Sequence, residues 1–173
     1  LWTPRVWPGA LLVDGEIRGY LLGSRQPLRQ QVYNFYNNIA LFLRGIFRYR
    51  HYNAASKKFV RWILTQAWRE VPAAPRRTAH FHINLLPEAR QVATTRAIMD
   101  AYLKYLHGHG EKKVFGQMVV FEDRRGTKMF ERYGFRVLNR AEITKYRGLH
   151  PEPVYLCTVV KDLDQNEQLY AKA

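Results

Sequence analysis

The pattern of apolar and polar positions predicts a hairpin near the start of the chain. Residues 11–13 and 16–22 are apolar, β-prone runs, and Asp14-Gly15 separates them. An Asp-Gly pair between such runs is typical of a two-residue type I′ turn, because both of its residues tolerate a positive φ. We therefore expect two antiparallel strands here.

Four further runs predict strands in the second half of the chain. Residues 79–86 alternate histidine and asparagine with apolar side chains, which indicates a half-buried strand. Residues 114–121 are apolar at nearly every position, as in a strand inside a sheet. Residues 135–138 and 154–160 are shorter apolar runs of the same kind. Together they predict a sheet.

Helices are predicted between these strands. Residues 32–46 and 59–67 carry apolar side chains at a spacing of three and four, with Ser56 as the expected N-cap of the second stripe. A third helix begins at residue 94 or 95 and reaches about residue 106, and a short one covers residues 126–133. Strands that alternate with helices predict an α/β or α+β fold, with the 173 residues forming a single domain.

Charge divides the chain into two unequal parts. The net charge is +14, from 28 Lys and Arg against 14 Asp and Glu. Residues 24–78, hereafter the insert, hold eleven of those basic residues and a single acid, and so carry +10. They also hold ten of the 24 aromatic residues. Such an excess indicates an anionic partner: nucleic acid, a nucleotide cofactor, an acidic carrier protein or a lipid surface.

Composition excludes several classes of protein. With 47% apolar residues the chain can build a core, which excludes wholesale disorder. The single cysteine, Cys157, excludes a disulfide scaffold and favours a reducing, cytoplasmic location. No apolar run reaches the ~18 residues of a membrane span. Residues 1–10 lack a basic stretch followed by an apolar one, so we expect no signal peptide.

Two runs of residues resemble the GNAT superfamily of acyl-CoA-dependent N-acyltransferases. They are "HFHINLLPEARQVATTRAIMDAYLKYL" and "MVVFEDRRGTKMFERYGFRVL", read as strand, phosphate-binding turn and helix, then strand and short helix ending in "ERYGF". The early hairpin "LLVDGEIRGYLLG" is similar to the second and third strands of the family. The resemblance covers residues 10–23 and 79–160, and it implies a mixed, mostly antiparallel sheet flanked by helices, with the insert as a helical insertion.

The resemblance also implies a cofactor site for acetyl-CoA or another acyl-CoA. In the family a turn of the form R/Q-x-x-G-x-G/A presents backbone N–H groups to the pyrophosphate at the start of a helix. Here Ala93 and Thr95 stand at the two glycine-like positions; Ala93 disfavours a positive φ, whereas the Thr95 hydroxyl could bond a phosphate oxygen. The implied cofactor-binding residues are Leu85, Leu86, Arg90, Gln91, Val92, Ala93, Thr94, Thr95, Arg96, Asp123 and Phe130.

Candidate catalytic residues follow from the chemistry of the transfer. A general base must take a proton from the attacking ammonium, and histidine titrates in the right range. His82, with His80 behind it, lies on the strand that borders the acyl thioester in the family. The family's usual acid, a tyrosine before the "ERYGF" ending, is replaced here by Phe130, which has no proton to donate, so Tyr133 is the candidate acid. No third ligand accompanies the two histidines, and no metal is predicted.

The insert leaves two interpretations open. It lies where small members of the family have a short turn, close to the acceptor side of the sheet. It could be a lid or docking surface for an anionic acceptor or an acyl-carrier protein, whose phosphopantetheine arm presents the same thioester. Alternatively it is a helical hairpin that packs on the sheet through its aromatic residues and exposes a solvated basic face.

Three functions are compatible with the sequence. The first is an N-acyltransferase that moves an acyl group, expected to be acetyl, from acyl-CoA to a primary amine. The second is a module that binds nucleic acid through the insert, by phosphate contacts and base stacking. The third is a degenerate member of the family that keeps the fold and the ligand but has lost transfer, as Phe130, Ala93 and Thr95 suggest.

Overall fold

The computed structural model describes residues 6–25, 27–122 and 127–164, and the side chains of all of these except 6, 27–34 and 129. Each predicted strand and helix has a counterpart, with boundaries that differ by a few residues. In chain order the elements are β1 (Val6–Val13), β2 (Glu16–Ser24), α1 (Pro27–Arg48), α2 (Ala54–Thr65), α3 (Ala67–Glu70), β3 (Ala79–Leu85), α4 (Val92–His107), β4 (Lys113–Phe121), α5 (Lys128–Glu131), β5 (Arg136–Glu142) and β6 (Val154–Asp162).

The six strands form one mixed sheet in the order β1-β2-β3-β4-β6-β5. Neighbouring strands run antiparallel except β3 and β4, which are parallel. The strand predicted to lie inside the sheet, β4, does so, between β3 and β6. The predicted fold class is therefore confirmed: an α+β protein with a mostly antiparallel sheet flanked by helices.

The hairpin turn is the one that its sequence predicts. Asp14 has φ 53° and Gly15 has φ 79°, as a type I′ turn requires at both central positions. The first strand, however, begins at Val6 rather than residue 11. Pro8 and Gly9 are untypical of a strand, so the sequence does not indicate that β1 begins before them. β1 is an edge strand, however, where both residues are tolerated. Trp7 accounts for the extension, since its ring packs 5.3 Å from that of Tyr102.

The core lies between the sheet and α4. This helix buries Ile98, Met99, Tyr102, Leu103 and Leu106 against strand side chains such as Leu21, Phe81 and Val114. The Tyr102 ring lies so close to Gly23 that a Cβ at that position would collide with it, and its hydroxyl donates to the His80 carbonyl oxygen at 2.9 Å. One helix therefore fixes β2 and β3 relative to each other.

The helices of the insert form where they were predicted, but their packing differs. Ser56 was expected as the N-cap of α2; instead Asn53 is the cap, and its Oδ1 accepts from the Ser56 N–H at 2.8 Å. Packing on the sheet through the aromatic side chains is also wrong for α1: Phe35, Tyr36, Phe42 and Phe47 are 50–82% exposed. The apolar periodicity of a helix shows neither which side chain caps it nor which element packs against it.

The only acid of the insert is one of several residues that link it to the rest of the fold. Glu70, at the end of α3, is buried and accepts from the Trp62 Nε1–H at 2.5 Å. It also accepts from the backbone N–H of Thr144 at 2.8 Å and from the Thr144 hydroxyl at 2.5 Å. Burial works against its charge, but the hydrogen bonds from Thr144 and Trp62 outweigh it and hold the pKa of Glu70 below its ordinary value.

Candidate active site

The two parallel strands at the centre of the sheet separate along their length. β3 and β4 pair at three positions, ending with Phe81 opposite Gly116. Beyond these pairs β3 continues beside β2 as far as Leu85, and β4 continues beside β6 as far as Phe121. The strands therefore enclose an opening, hereafter the wedge, bounded by residues 82–85 and 117–121. A wedge inside a sheet leaves backbone hydrogen-bonding groups on both of its sides for a ligand.

The candidate base lies at the closed end of the wedge. His82 is the first residue of β3 after the last pair with β4, its side chain is exposed, and its ring lies 6.0 Å from that of Tyr20. His80 lies on the same face but is half-buried and stacks on Phe115 at 5.6 Å. Of the two, His82 is the one that a substrate can reach.

His80 has the environment of a structural residue. Its Nδ1 is buried without a hydrogen-bond partner among the described residues. Burial disfavours the charged ring and lowers the pKa of His80. A neutral His80 beside an exposed His82 gives the two predicted bases different chemistry, and it makes His82 the stronger candidate.

The start of α4, where the resemblance implies a phosphate site, has no side-chain cap. The backbone N–H of Thr95 makes the first intrahelical hydrogen bond, to the Gln91 carbonyl oxygen at 2.9 Å, and Gln91 provides no side-chain cap. The N–H groups of Val92, Ala93 and Thr94 therefore have no intrahelical partner. Three such donors at the positive end of a 16-residue helix suit an anionic phosphate.

The residues that stand at the two glycine-like positions do not distort this turn. Ala93 and Thr95 both lie in the first turn of α4, where φ is negative, so neither position needs the backbone freedom of glycine. The preceding residues are also ordered: Arg90 donates from Nε to the Leu85 carbonyl oxygen at 2.9 Å. This bond fixes the connection between the end of β3 and the start of α4.

The other predicted cofactor residues have varied surroundings. Leu85 is buried in the core, whereas Leu86 and Gln91 are exposed. Arg96 is exposed and donates to the Arg132 carbonyl oxygen at 3.3 Å, which links α4 to the turn after α5. Asp123 lies outside the described residues. These assignments stay predictions.

The short helix α5 places the two aromatic candidates in unequal positions. Phe130, at the place of the family's tyrosine, is 3% exposed and belongs to the core. Tyr133, the candidate acid, is half-buried, and its carbonyl oxygen accepts from Lys161 Nζ at 2.9 Å. Their roles in cofactor binding and acid catalysis also stay predictions.

Lys161 is a residue that sequence reasoning missed. It ends the apolar run of β6, is 8% exposed, and lies under Gly134 at the corner between α5 and β5. Burial lowers the pKa of Lys161. The one sign of this buried residue in the sequence was a lysine within an apolar strand. A cavity of about 350 Å³ beside it, lined among others by Glu131, Arg136 and Asp162, lies at the end of the sheet opposite to the wedge.

Neither a metal-ligand cluster nor a membrane-spanning helix is present among the described residues. No group of three or more His, Cys, Asp or Glu side chains there is placed to hold a metal ion. Within the same part of the chain no helix combines the length and apolarity that crossing a bilayer demands.

Comparison with known proteins identifies the fold. No protein-family model matches the chain, and no curated protein matches it significantly. Among solved structures, a Bacillus anthracis protein assigned as a streptothricin acetyltransferase, in complex with acetyl coenzyme A, matches with a TM-score of 0.50 and 9% identity, over 92% of this chain and 64% of that one. The chain has the GNAT fold.

Two other matches have lower TM-scores. An N-acetyltransferase from Staphylococcus aureus has a TM-score of 0.48 and 10% identity, over 89% of this chain and 66% of that one. A ribosomal-protein-alanine N-acetyltransferase from Brucella melitensis matches with a TM-score of 0.46 and 8% identity, over 88% of this chain and 66% of that one. The chain thus spans about two thirds of the length of these three proteins. At such identities the likeness concerns the GNAT fold and not the substrate.

Proposed function

We propose that this chain is an N-acyltransferase that moves an acyl group, expected to be acetyl, from an acyl-CoA thioester to a primary amine. The observation that carries the proposal is the wedge, which opens beside His82 and ends next to the uncapped start of α4. A thioester arm in the wedge would have its pyrophosphate at the N–H groups of Val92, Ala93 and Thr94. The exposed Arg90 and Arg96 would add positive charge nearby.

In the proposed reaction the amine nitrogen attacks the thioester carbonyl carbon, a C–N bond forms and the C–S bond breaks. His82 takes a proton from the ammonium form of the substrate, which gives the nitrogen the lone pair that it needs for attack, because His82 is the exposed imidazole at the wedge. Backbone N–H groups of β3 that face the wedge would polarise the thioester carbonyl. Tyr133 is the proposed donor of the proton that the leaving thiolate takes up. Acyl-CoA supplies the activated acyl group, and we propose that the reaction takes place in the cytoplasm.

Calorimetry tests the proposal directly. We expect coenzyme A and acetyl-CoA each to bind one site per chain. Substituting Val92→Pro, which removes the N–H donor of the first residue of α4, where proline is tolerated after the extended Gln91, should weaken both. Absence of heat for either ligand at millimolar concentration would rule out the coenzyme A form of the function.

A second candidate function is favoured by one observation. Phe130 replaces the usual acid and its ring is in the core, so the position provides neither a proton nor a contact with solvent. A chain that binds acyl-CoA without transferring the acyl group would fit this substitution. Product formation with a broad panel of primary amines distinguishes the two: any acylated amine above the uncatalysed rate excludes the non-catalytic reading.

A further inference from the structure

The first helix of the insert exposes its apolar face. Seven large apolar side chains of α1 share an arc of about 140° at 100° per residue. All seven are between 43% and 82% exposed: Phe35, Tyr36, Ile39, Phe42, Leu43, Ile46 and Phe47. Monomeric globular proteins rarely leave such a continuous patch uncovered, and one that is uncovered marks an interaction surface.

The exposed charges on the polar side of α1 and on the rest of the insert are all positive. Arg44 and Arg48 lie beside the amides of Asn37 and Asn38, away from the apolar arc. Residues 27–69 contain eight Lys and Arg and no Asp or Glu. The insert's only acid, Glu70, is buried, and it accepts hydrogen bonds from Trp62 and Thr144. The surface of the insert therefore has no carboxylate of its own to balance these cations.

The second helix of the insert repeats this combination. Ile63 and Leu64 of α2 are 46% and 56% exposed, and Trp68, in the helix that follows, is 69% exposed. Lys58 and Arg61 of α2 are exposed as well, and Lys58 Nζ donates to the Arg147 carbonyl oxygen at 3.3 Å. Aromatic and aliphatic side chains accompanied by cations recur over more than 30 residues, so the feature belongs to the insert and not to one turn of it.

The combination of charge and apolar surface selects the partner. A second copy of the chain would bring two surfaces of the same sign together, which repel. A nucleic acid would satisfy the cations but leave Ile39, Leu43 and Ile46 in water. An acidic protein would have to provide an apolar groove and carboxylates together. An anionic phospholipid bilayer provides an apolar interior and negative headgroups at the depths where an amphipathic helix places its two faces.

We propose that α1 binds the surface of an anionic phospholipid bilayer, with its apolar arc in the headgroup–acyl boundary and Arg44 and Arg48 among the phosphates. The helix lies in the plane of the surface and does not cross it. The proposal does not depend on acyl transfer, since the wedge and α1 share no residue. It would keep the protein at a membrane surface whatever acceptor the wedge receives.

Vesicle sedimentation with matched variants tests this. We expect the protein to sediment with vesicles of phosphatidylcholine containing about 30% phosphatidylglycerol, and weakly or not at all with phosphatidylcholine alone. The double substitution Phe42→Asp/Ile46→Asp should weaken binding about tenfold or more, because it places charge in the apolar arc. Asn37→Asp/Asn38→Asp makes the same change in net charge on the polar side and should have a much smaller effect. Circular dichroism verifies that both variants fold.

Several outcomes would overturn the proposal. One is no sedimentation of the wild type with the anionic vesicles; another is equal loss in both double variants, which would show that charge alone acts. Retardation of an arbitrary oligonucleotide, with vesicle binding absent, would assign the insert to nucleic acid. A dimer in sedimentation equilibrium that Phe42→Asp/Ile46→Asp dissociates, again without vesicle binding, would assign the arc to a second copy.

Discussion

Two helices of this protein share an amphipathic pattern but differ in environment. α4 buries five apolar side chains against the sheet, and Tyr102 and Leu103 are at most 1% exposed. α1 is longer and its apolar arc, about 140° at 100° per residue, is as wide as that of the buried residues of α4, yet the seven side chains in the arc of α1 are all exposed. Apolar periodicity therefore establishes that a helix has a face, whereas neighbouring elements determine what covers it. In α4 the cover is the sheet, whereas none of the described residues covers the apolar arc of α1.

The same substitution in both helices tests most directly whether α4 is packed and α1 is not. Leu103→Ala in α4 should lower the free energy of unfolding by about 2–5 kcal/mol, because it leaves a cavity in the core. Leu43→Ala in α1, at a side chain that is 50% exposed, should change it by less than about 0.5 kcal/mol. Urea unfolding of the two variants measures both. Similar losses would mean that α1 is packed in solution.

A second comparison concerns chemistry, with one histidine from each region. His82→Gln, at the wedge, should lower kcat/KM for acyl transfer by about 100-fold or more, because the general base is lost. His51→Gln, at an exposed histidine of the insert, should leave kcat/KM close to wild type. Steady-state kinetics over a range of amine concentrations provides the test. An unaffected His82→Gln enzyme would remove His82 from the mechanism.

The attachment between the two regions should be sensitive to acid. The pKa of Glu70 in the folded protein lies below its ordinary value of 4.5, so its carboxylate stabilises the fold fully above that pH. The contribution is lost as the pH falls through the folded-state pKa. Glu70→Gln should cost about 1–3 kcal/mol near neutral pH and flatten the loss of stability below about pH 4.5.

Unfolding free energies of wild type and Glu70→Gln at a series of pH values measure this effect. Glu88→Gln is the matched control, because Glu88 is exposed and pairs with Arg18 at the surface. If the two variants have the same pH profile, Glu70 does not anchor the insert.

The smallest expected effect lies within the sheet. Tyr102→Phe removes the hydroxyl that donates to the His80 carbonyl oxygen and keeps the ring over Gly23. We expect a loss of about 1 kcal/mol in the free energy of unfolding, as for one hydrogen bond. Hydrogen exchange should show faster exchange in β3 and no change in the insert. Faster exchange in α1 as well would show that the two regions are coupled.

The sequence predicted the elements well because their signals are local. Asp14-Gly15 sets the hairpin turn through its own backbone preferences, and the apolar spacing of α4 indicates its buried face. The N-cap of α2 was wrong because Ser56 and Asn53 are both good caps, and only geometry shows which side chain accepts and which backbone N–H donates.

The candidate site was predictable in part. The resemblance predicts a phosphate turn at the start of α4 and a base at His82; the structure locates both positions, and their roles stay predictions. The ending of β3–β4 pairing after Phe81 has no local signal, since residues 82–85 and 117–121 read as ordinary strand. The burial of Lys161 and the contacts of Glu70 involve residues distant in the chain, which a single sequence does not pair.

The position of the insert also has a consequence for folding. It connects two neighbouring antiparallel strands, so the 54 residues between Ser24 and Ala79 form one closed loop when β2 pairs with β3. Closing it costs only about 2 kcal/mol more than closing a connection of about six residues, because the entropy grows with the logarithm of loop length. The pairing should form after the β1–β2 hairpin, whose loop is two residues long. A sheet that tolerates a connection of this length between β2 and β3 can accept inserts of other lengths at the same point with little change in stability.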